Sequence, residues 1–493
     1  MTGREHDYIV DVGYTRGYYA ELNPLRARIA MLKAGLAPPQ MSTACELGFG
    51  QGVSLAVHAA ASSTVWYGND INSEHMTSAA GLLAASGATA HLFEESFIEF
   101  ARRNDLPDFD YVGMNGVWSW ISDESQAAIV DFLNAHLKTG GIFYINYITL
   151  PGWAPYMPLR ELLVRHAETA TTKASPLFDR IDASLDFARR LQTAAPAFFA
   201  DNPAVADYFS TMGDRGHSYL AHAYFNQNYR PTYFSTVASL LAPAGLHYVG
   251  PADIGNLESV HLTGPQRELL GTIDDPVFRE FVYDFLVNRY ARRDLWVKGD
   301  AARLDEPTRT SLLRETRVCA AVPRPELPMK LRAALALNGG PSDAIYKPLL
   351  EMLSTFEPVS LAVIESSLTS AGATLEQILD AVLLVAGHEQ LDIVQPEEAS
   401  GARARCARLN GHLLEAARST SGFNHLASPV TGAGVTLSRA QQLFLLAHRG
   451  GADRPEALAA FGRKFLPDDT ALIDRTRTFL DIDLPFLTRL GVA

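Results

Sequence analysis

At 493 residues the chain exceeds what one hydrophobic core supports, so two to four domains are expected. Hydrophobic residues at 47% and charged ones at 20% are the proportions of an ordinary globular protein and exclude a disordered or fibrous chain. The formal net charge of −13 argues against a broad phosphate-binding face, hence against nucleic acid as a partner, and no run of about 18 apolar residues offers a membrane span.

From residue 44 to residue 147 short apolar runs alternate with helix-length amphipathic stretches, the mark of repeated strand-helix-strand units and a parallel sheet. Strands are expected over 43–46, 64–69, 90–93, 109–114 and 142–147, with an apolar helix over 53–61 after the first. Asp123-Glu124-Ser125-Gln126 opens a helix that runs to His136, and Lys138-Thr139-Gly140-Gly141 reads as its glycine terminus. Residues 158–227 read as helical throughout, with apolar residues at helical spacing over 159–167 and 181–191. A helix over 233–241 and an apolar run over 246–249 resume the sheet's pattern. After a further helical stretch over 275–290, Leu295-Trp296-Val297-Lys298-Gly299 is the expected last strand, so inserted helices split the core.

Past about residue 300 the composition changes, and the proline-containing stretch 324–329 leads into leucine- and alanine-rich helices. There 359–368, 375–386 and 391–395 read as helix, helix and short strand, which suits either a winged-helix-like unit or a plain helical interaction module. The expected division is 1–157 for an α/β, doubly wound, Rossmann-like core and 158–230 for a helical insertion. A middle region over 231–299 completes the sheet, and a mainly helical accessory domain takes 300–493.

Glu46-Leu47-Gly48-Phe49-Gly50-Gln51-Gly52 falls where the first strand gives way to its helix. Glycine there permits positive φ and close approach of a ligand, and the N–H groups at the helix start favour a negatively charged group. A nicotinamide cofactor wants its third glycine three positions after the second, and that position is Val53. The E-x-G-x-G-x-G spacing instead suits a nucleoside bearing an amino acid. Asp70, followed by Ile71, closes the second strand about twenty residues on, where a carboxylate can accept hydrogen bonds from both ribose hydroxyls.

Three longer strings carry a resemblance. Gly116-Val117-Trp118-Ser119-Trp120-Ile121-Ser122-Asp123-Glu124, Leu150-Pro151-Gly152-Trp153 and Ser218-Tyr219-Leu220-Ala221-His222-Ala223-Tyr224-Phe225-Asn226 resemble bacterial class I methyltransferases that carry a methyltransferase regulatory domain. The rickettsial outer-membrane-protein lysine methyltransferases are similar members. The resemblance covers most of the first 300 residues and extends more loosely to Leu426-Ala427-Ser428-Pro429-Val430. It implies S-adenosylmethionine as methyl donor, with S-adenosylhomocysteine as product. It also implies an aromatic N-terminal segment folded over the donor, which here offers Tyr14 and Tyr19, the family's usual proline-phenylalanine pair reading Tyr18-Tyr19. Ser96 and Phe97 take the adenine position, and Asn115 and Gly116 stand where the donor's methionine part meets the acceptor. Asn115 replaces a histidine common in the family.

Methyl transfer asks a protein mainly to align the nucleophile and exclude water. An amine must arrive neutral, and desolvation or nearby positive charge lowers its proton affinity. Trp118, Trp120, Tyr147 and Trp153 gather at two adjacent strand ends, where rings could hold a lysine side chain and a methylated ammonium. The resemblance, together with accessory domains large enough to grip a macromolecule, implies protein or peptide lysine as the leading acceptor, with a small molecule or saccharide as the alternative. A non-catalytic regulator binding nucleic acid fits poorly, because 359–395 carries acidic residues and no lysine or arginine. His217 and His222 show no metal-ligand spacing, and Cys45, Cys319 and Cys406 are too scattered for zinc, so no resident metal is expected. The odd cysteine count and the polar, charged first eleven residues, without an apolar signal stretch, point to a cytoplasmic protein. The insertion is a candidate for homodimer formation.

Overall fold

The computed structural model describes residues 12–170, 175–194, 197–325, 343–368, 372–397, 399–467 and 470–493. The chain start and residues 326–329 of the proline-containing stretch lie outside them. Seven strands form one sheet: β1 (Thr43–Leu47), β2 (Val65–Asp70), β3 (Ala90–Glu94), β4 (Phe109–Met114), β5 (Leu137–Ile148), β6 (Leu246–Pro251) and β7 (Ala291–Lys298). Their order is β3-β2-β1-β4-β5-β7-β6, and β7 runs antiparallel to both its neighbours. β1 to β5 form the parallel, doubly wound part that the alternating pattern predicts, and the antiparallel β7 adds to it. The strand order reverses between β1 and β4, which opens a crevice at their carboxyl ends.

Five helices frame that part of the sheet: α1 (Pro24–Lys33), α2 (Val53–Ala61), α3 (Ser73–Ser86), α4 (Phe97–Ala101) and α5 (Asp123–His136). α2 is buried along its whole length because its apolar residues meet the sheet on one side and a later helix, Ala402–Ala416, on the other. One face of the sheet packs on α4, α5 and the helix Phe234–Leu241. The opposite face packs on α1, α2 and α3, and that core continues without a break into the C-terminal helices.

The end of α5 differs from expectation. The helix stops at His136 and the strand begins at Leu137, so the glycines do not cap the helix. Lys298 of β7 does so instead, donating to the carbonyls of Leu133 (3.1 Å) and Leu137 (2.8 Å). Residues 138–141 bulge out of the β4–β5 ladder, and Gly140 takes its positive φ of 78° there.

The helices at 158–227 do form, with Met157–Thr169 and Leu177–Ala194 the longest, around a separate apolar cluster. In the C-terminal region β8 (Arg317–Ala320), β9 (Val359–Ser360) and β10 (Leu391–Ile393) make a small antiparallel sheet in the order β10-β8-β9. The helix-helix-strand succession is present as Leu361–Leu368, Leu375–Gly387 and β10. The helix Leu375–Gly387 is buried through Ala381–Ala386 and faces the sheet domain, where Asp380 pairs with Lys33 (2.9 Å) and Glu376 with Arg309 (2.7 Å). A hairpin of β11 (His425–Ala427) and β12 (Gly434–Thr436) completes the region. All three cysteines are buried as free thiols, and among the described residues no helix is long and apolar enough to cross a membrane.

Inside β4, Asp110 joins the bottom of three strands. Its Oδ2 accepts from the N–H groups of Ser42 and Thr43 (both 2.9 Å), and its Oδ1 from Lys138 Nζ (2.7 Å). Burial alone would raise its pKa, but the lysine and the two N–H groups outweigh it and hold the carboxyl below its ordinary value. Asp110→Ala leaves three part-buried donors without their acceptor and should lower unfolding stability by about 1 kcal/mol, read as a reduced denaturant midpoint. An unchanged midpoint contradicts this role.

Candidate active site

The crevice at the ends of β1 and β4 is a cavity of about 740 Å3. Of the residues expected there, Tyr14, Tyr19, Glu46, Gly48, Gly50, Asp70, Ile71, Ser96, Phe97, Asn115, Gly116, Trp120 and Trp153 line it. Gly52, Trp118 and Tyr147 do not, and each has a physical reason.

Gly48, Gly50 and Gly52 all have positive φ, at 69°, 57° and 74°. A Cβ on Gly50 would meet nothing within 4 Å, so this turn residue opens on the cavity. A Cβ on Gly52 would lie 2.3 Å from that of Ala79, so this glycine lets α2 and α3 approach and serves packing rather than a ligand. Tyr147 follows Phe143 and Ile145 into the opposite core by strand alternation, and its hydroxyl donates to Asp294 (2.7 Å). Asn146 and Ile148 take the cavity side of β5. Trp118 and Trp120 belong to a single 3-10 turn, whose twist sends Trp118 into the core, 1% exposed, and Trp120 to the cavity.

Asp70 is more heavily engaged than expected. Its Oδ2 accepts from Gly50 N–H (2.8 Å), and its Oδ1 from Asn72 N–H (2.9 Å) and His75 Nδ1 (3.0 Å). His75 Nε2 accepts from the N–H of Tyr14 (2.8 Å), which places the ring proton on Nδ1. A carboxylate has about four acceptor positions, so Oδ2 keeps one for a hydroxyl. Ser96 is also occupied: its hydroxyl and N–H form a capping box with Glu99, with contacts of 2.7–3.2 Å. Asn115 Oδ1 accepts from the buried hydroxyl of Tyr144 (2.7 Å).

Glu46 is 3% exposed, and its Oε2 has no hydrogen-bond partner. Burial, with the Asp70 charge adding to it, pushes its carboxyl up to about 8. Sequence reasoning missed a second such group, Glu95, whose Oε1 accepts from Arg103 (2.6 Å) while Oε2 is buried without a partner. Its signal was available, an acidic residue directly after β3 as Asp70 ends β2. His75 was missed as well.

An aromatic wall of Trp120, Trp153, Tyr219, Tyr224 and Tyr229 lines the cavity, as does Arg293 of β7, which pairs with Glu21 (3.5 Å). Trp153 packs on Tyr156 and Tyr208 at 4.9 and 5.7 Å between ring centres, which ties this wall to the inserted helices. His222 also lines the cavity; its Nε2 meets the carbonyl of Val12 (2.8 Å) and its ring sets edge-on to Tyr14. Burial lowers its pKa. His217 lies apart, paired with Asp182 (2.8 Å).

The sheet order and this crevice define a class I methyltransferase fold. Residues 216–298, which supply the tyrosines, His222 and Arg293, match the model of a family described as a predicted methyltransferase regulatory domain. The protein of Synechocystis sp. called uncharacterized protein sll1526 is 30% identical over 517 residues, spanning the full length of both chains. Rickettsia prowazekii protein RP789 is 25% identical over 61% of this chain and 54% of its own. The structure of PKMT2 from Rickettsia typhi in complex with AdoHcy shares the fold with a TM-score of 0.68 at 18% identity, covering 97% of this chain and all of that one. The chain belongs to the family of sll1526, carries a match to the methyltransferase regulatory domain over residues 216–298, and has the class I methyltransferase fold.

The buried Glu46 carboxyl has a consequence for stability. Its folded pKa, about 8, lies above the ordinary 4.5, so the folded protein keeps a proton that the unfolded chain has released. This stabilisation is complete below the ordinary value and is lost as pH climbs through the folded one. Glu46→Gln should therefore melt above the wild type at pH 9 and close to it at pH 5. Equal melting temperatures at both pH values contradict the assignment.

Proposed function

We propose that the cavity binds S-adenosylmethionine and that the protein transfers the methyl group to a lysine amine of a protein or peptide. The observation that carries this reading is the pair Glu46 and Asp70 bracketing the glycine turn, one an unpartnered buried acid and the other a carboxylate with a free acceptor position. Glu46 would hold the donor's ammonium and Asp70 Oδ2 a ribose hydroxyl, while Phe97 offers a ring face to the adenine and Glu95 Oε2 an acceptor for its amine. AdoHcy bound to the similarly folded Rickettsia typhi protein supports the same occupant.

The donor supplies a methyl carbon already activated by a positive sulfur. The protein's part is to bring the amine into line and to keep water out. Trp120, Trp153, Tyr224 and Tyr229 give the cavity an aromatic wall suited to an alkyl amine. Their low polarity favours its neutral, nucleophilic form. The N–C bond forms as the C–S bond breaks, the sulfur keeps the electron pair, and the amine gives up its proton to water.

A macromolecular acceptor is supported by the aromatic stripe on the helix Pro276–Leu286. Phe278 and Phe285 are 54% and 51% exposed there, and Phe285 stacks on Tyr233. Tyr290, also exposed, precedes Ala291 of the cavity wall, so the stripe leads to the cavity. The negative net charge suits a lysine-bearing target. Self-association through residues 158–227 in a cytoplasmic enzyme belongs to the same proposal, and sedimentation of the full chain as a monomer contradicts that part.

Two measurements test the reading. In calorimetry, donor binding below about pH 8 should release a proton as Glu46 ionises, and affinity should rise with pH up to that value and then level. Glu46→Gln and Asp70→Ala should each weaken binding at least about tenfold, and unchanged affinities remove these assignments. Incubation of the protein with radiolabelled donor and lysate of its source cell should place label on protein lysines. Label confined to small metabolites overturns the protein acceptor and leaves the donor site standing.

A further inference from the structure

Residues 12–19 form an extended strap with two faces. Tyr14, Thr15, Gly17 and Tyr19 line the cavity. Arg16 and Tyr18 turn the other way, onto the C-terminal region. The Arg16 guanidinium lies 5.1 Å from the centre of the Phe423 ring. The Tyr18 ring is 4.9 Å from that of His425, and a Cβ on Gly434 would come within 3.0–3.1 Å of it. Phe423 precedes the β11–β12 hairpin, while His425 and Gly434 begin its two strands. Thr436 Oγ1 lies 3.1 Å from His425 Nε2 across that hairpin.

The backbone bonds of the strap go to side chains rather than to a strand. Tyr14 N–H donates to His75, Tyr14 O accepts from Gln51 (3.1 Å), Val12 O meets His222, and Tyr19 N–H donates to Ser54 (2.9 Å). Such a segment takes its position from what presses on it. The C-terminal region is in turn fixed to the helices that start at the cavity. Arg405 donates to the carbonyls of Ala60 (3.0 Å) and Ser62 (2.8 Å), and Gln395 to that of Ala61 (3.0 Å), all at the end of α2. Arg408 donates to Ser86 O (2.9 Å), the last residue of α3. One frame thus holds the far ends of α2 and α3 and the back of the strap.

We infer that the hairpin face formed by Phe423, His425 and Gly434 is part of the donor site, its residues positioning the strap so that Tyr14 and Tyr19 close over the bound donor. The inference rests on the proposed donor role of the cavity. These residues touch no ligand; they act through Arg16 and Tyr18. A positioning role of this kind shows in the residence time of the donor, because a closed strap slows departure and leaves the encounter rate alone.

The test uses the full chain and S-adenosylmethionine in stopped-flow binding. The double variant Phe423→Ala/His425→Ala should release the donor about three- to tenfold faster, as expected for one cation–π and one ring contact, with the association rate unchanged. Donor binding should slow amide exchange of residues 12–19 in the wild type and fail to do so in the variant, a readout that a general loss of stability does not produce. Should that variant fold poorly, Arg16→Met removes the same contact from the strap's side and should act in the same direction. Wild-type dissociation rates in a folded variant overturn the inference while the donor site survives. A wild type that binds no donor overturns both.

Discussion

The Asp70 carboxylate joins three pieces of chain at the mouth of the crevice: the glycine turn through Gly50, the first turn of α3 through Asn72 and His75, and the strap through His75 and Tyr14. Each bond satisfies a backbone or ring N–H that would otherwise lie orphaned at the mouth of the crevice. The carboxylate therefore sets the shape of the cavity before it meets any ligand. Two elements lean on it: the positive-φ turn at Gly50, which only a residue without Cβ adopts easily, and the His75 ring that accepts from Tyr14 N–H.

Around this knot the cavity is built from groups left unfulfilled. Glu46, Glu95 and Asn69 each keep a buried oxygen without a partner, and such atoms are costly unless something arrives to meet them. Their sum is a negative, acceptor-rich lining in a cavity that also has an aromatic wall. The middle region holds a polar cluster in which two arginines face three carboxylates. Arg292, 2% exposed, pairs with Asp284 (2.7 Å), Glu280 (2.8 Å) and Asp294 (2.9 Å), and Arg289 adds to Asp284 (3.1 Å). Burial still pushes the Asp284 carboxyl up to about 7. This cluster fastens β7 to the helix Pro276–Leu286 and so holds Arg293 and Ala291 in the cavity wall.

Much of this was legible in the residues. Strand positions follow from apolar runs bounded by turn residues, and β4 was delimited to the residue because both its faces are buried. The glycine turn and Asp70 were placed by their spacing from strand ends, and both line the cavity. The misplaced residues share another origin. Trp118 and Tyr147 sit at the right strand ends but on the wrong face, and the apolar run Phe143-Tyr144-Ile145 hides the alternation that decides it. The end of α5 depends on Lys298, a residue about 160 positions away. The contacts of Arg16 and Tyr18 with residues 423–436 bridge some 400 positions and leave no local trace. What spacing cannot show is which side chain completes another's hydrogen bonds across the fold.

The account turns on one ligand pose, and a crystal structure of the protein with S-adenosylhomocysteine examines it most directly. It should show the amino group on Glu46, a ribose hydroxyl on Asp70 Oδ2 and the sulfur facing the wall of Trp120 and Trp153. A nucleoside bound away from Glu46 and Asp70, or an empty crevice at saturating ligand, would contradict it.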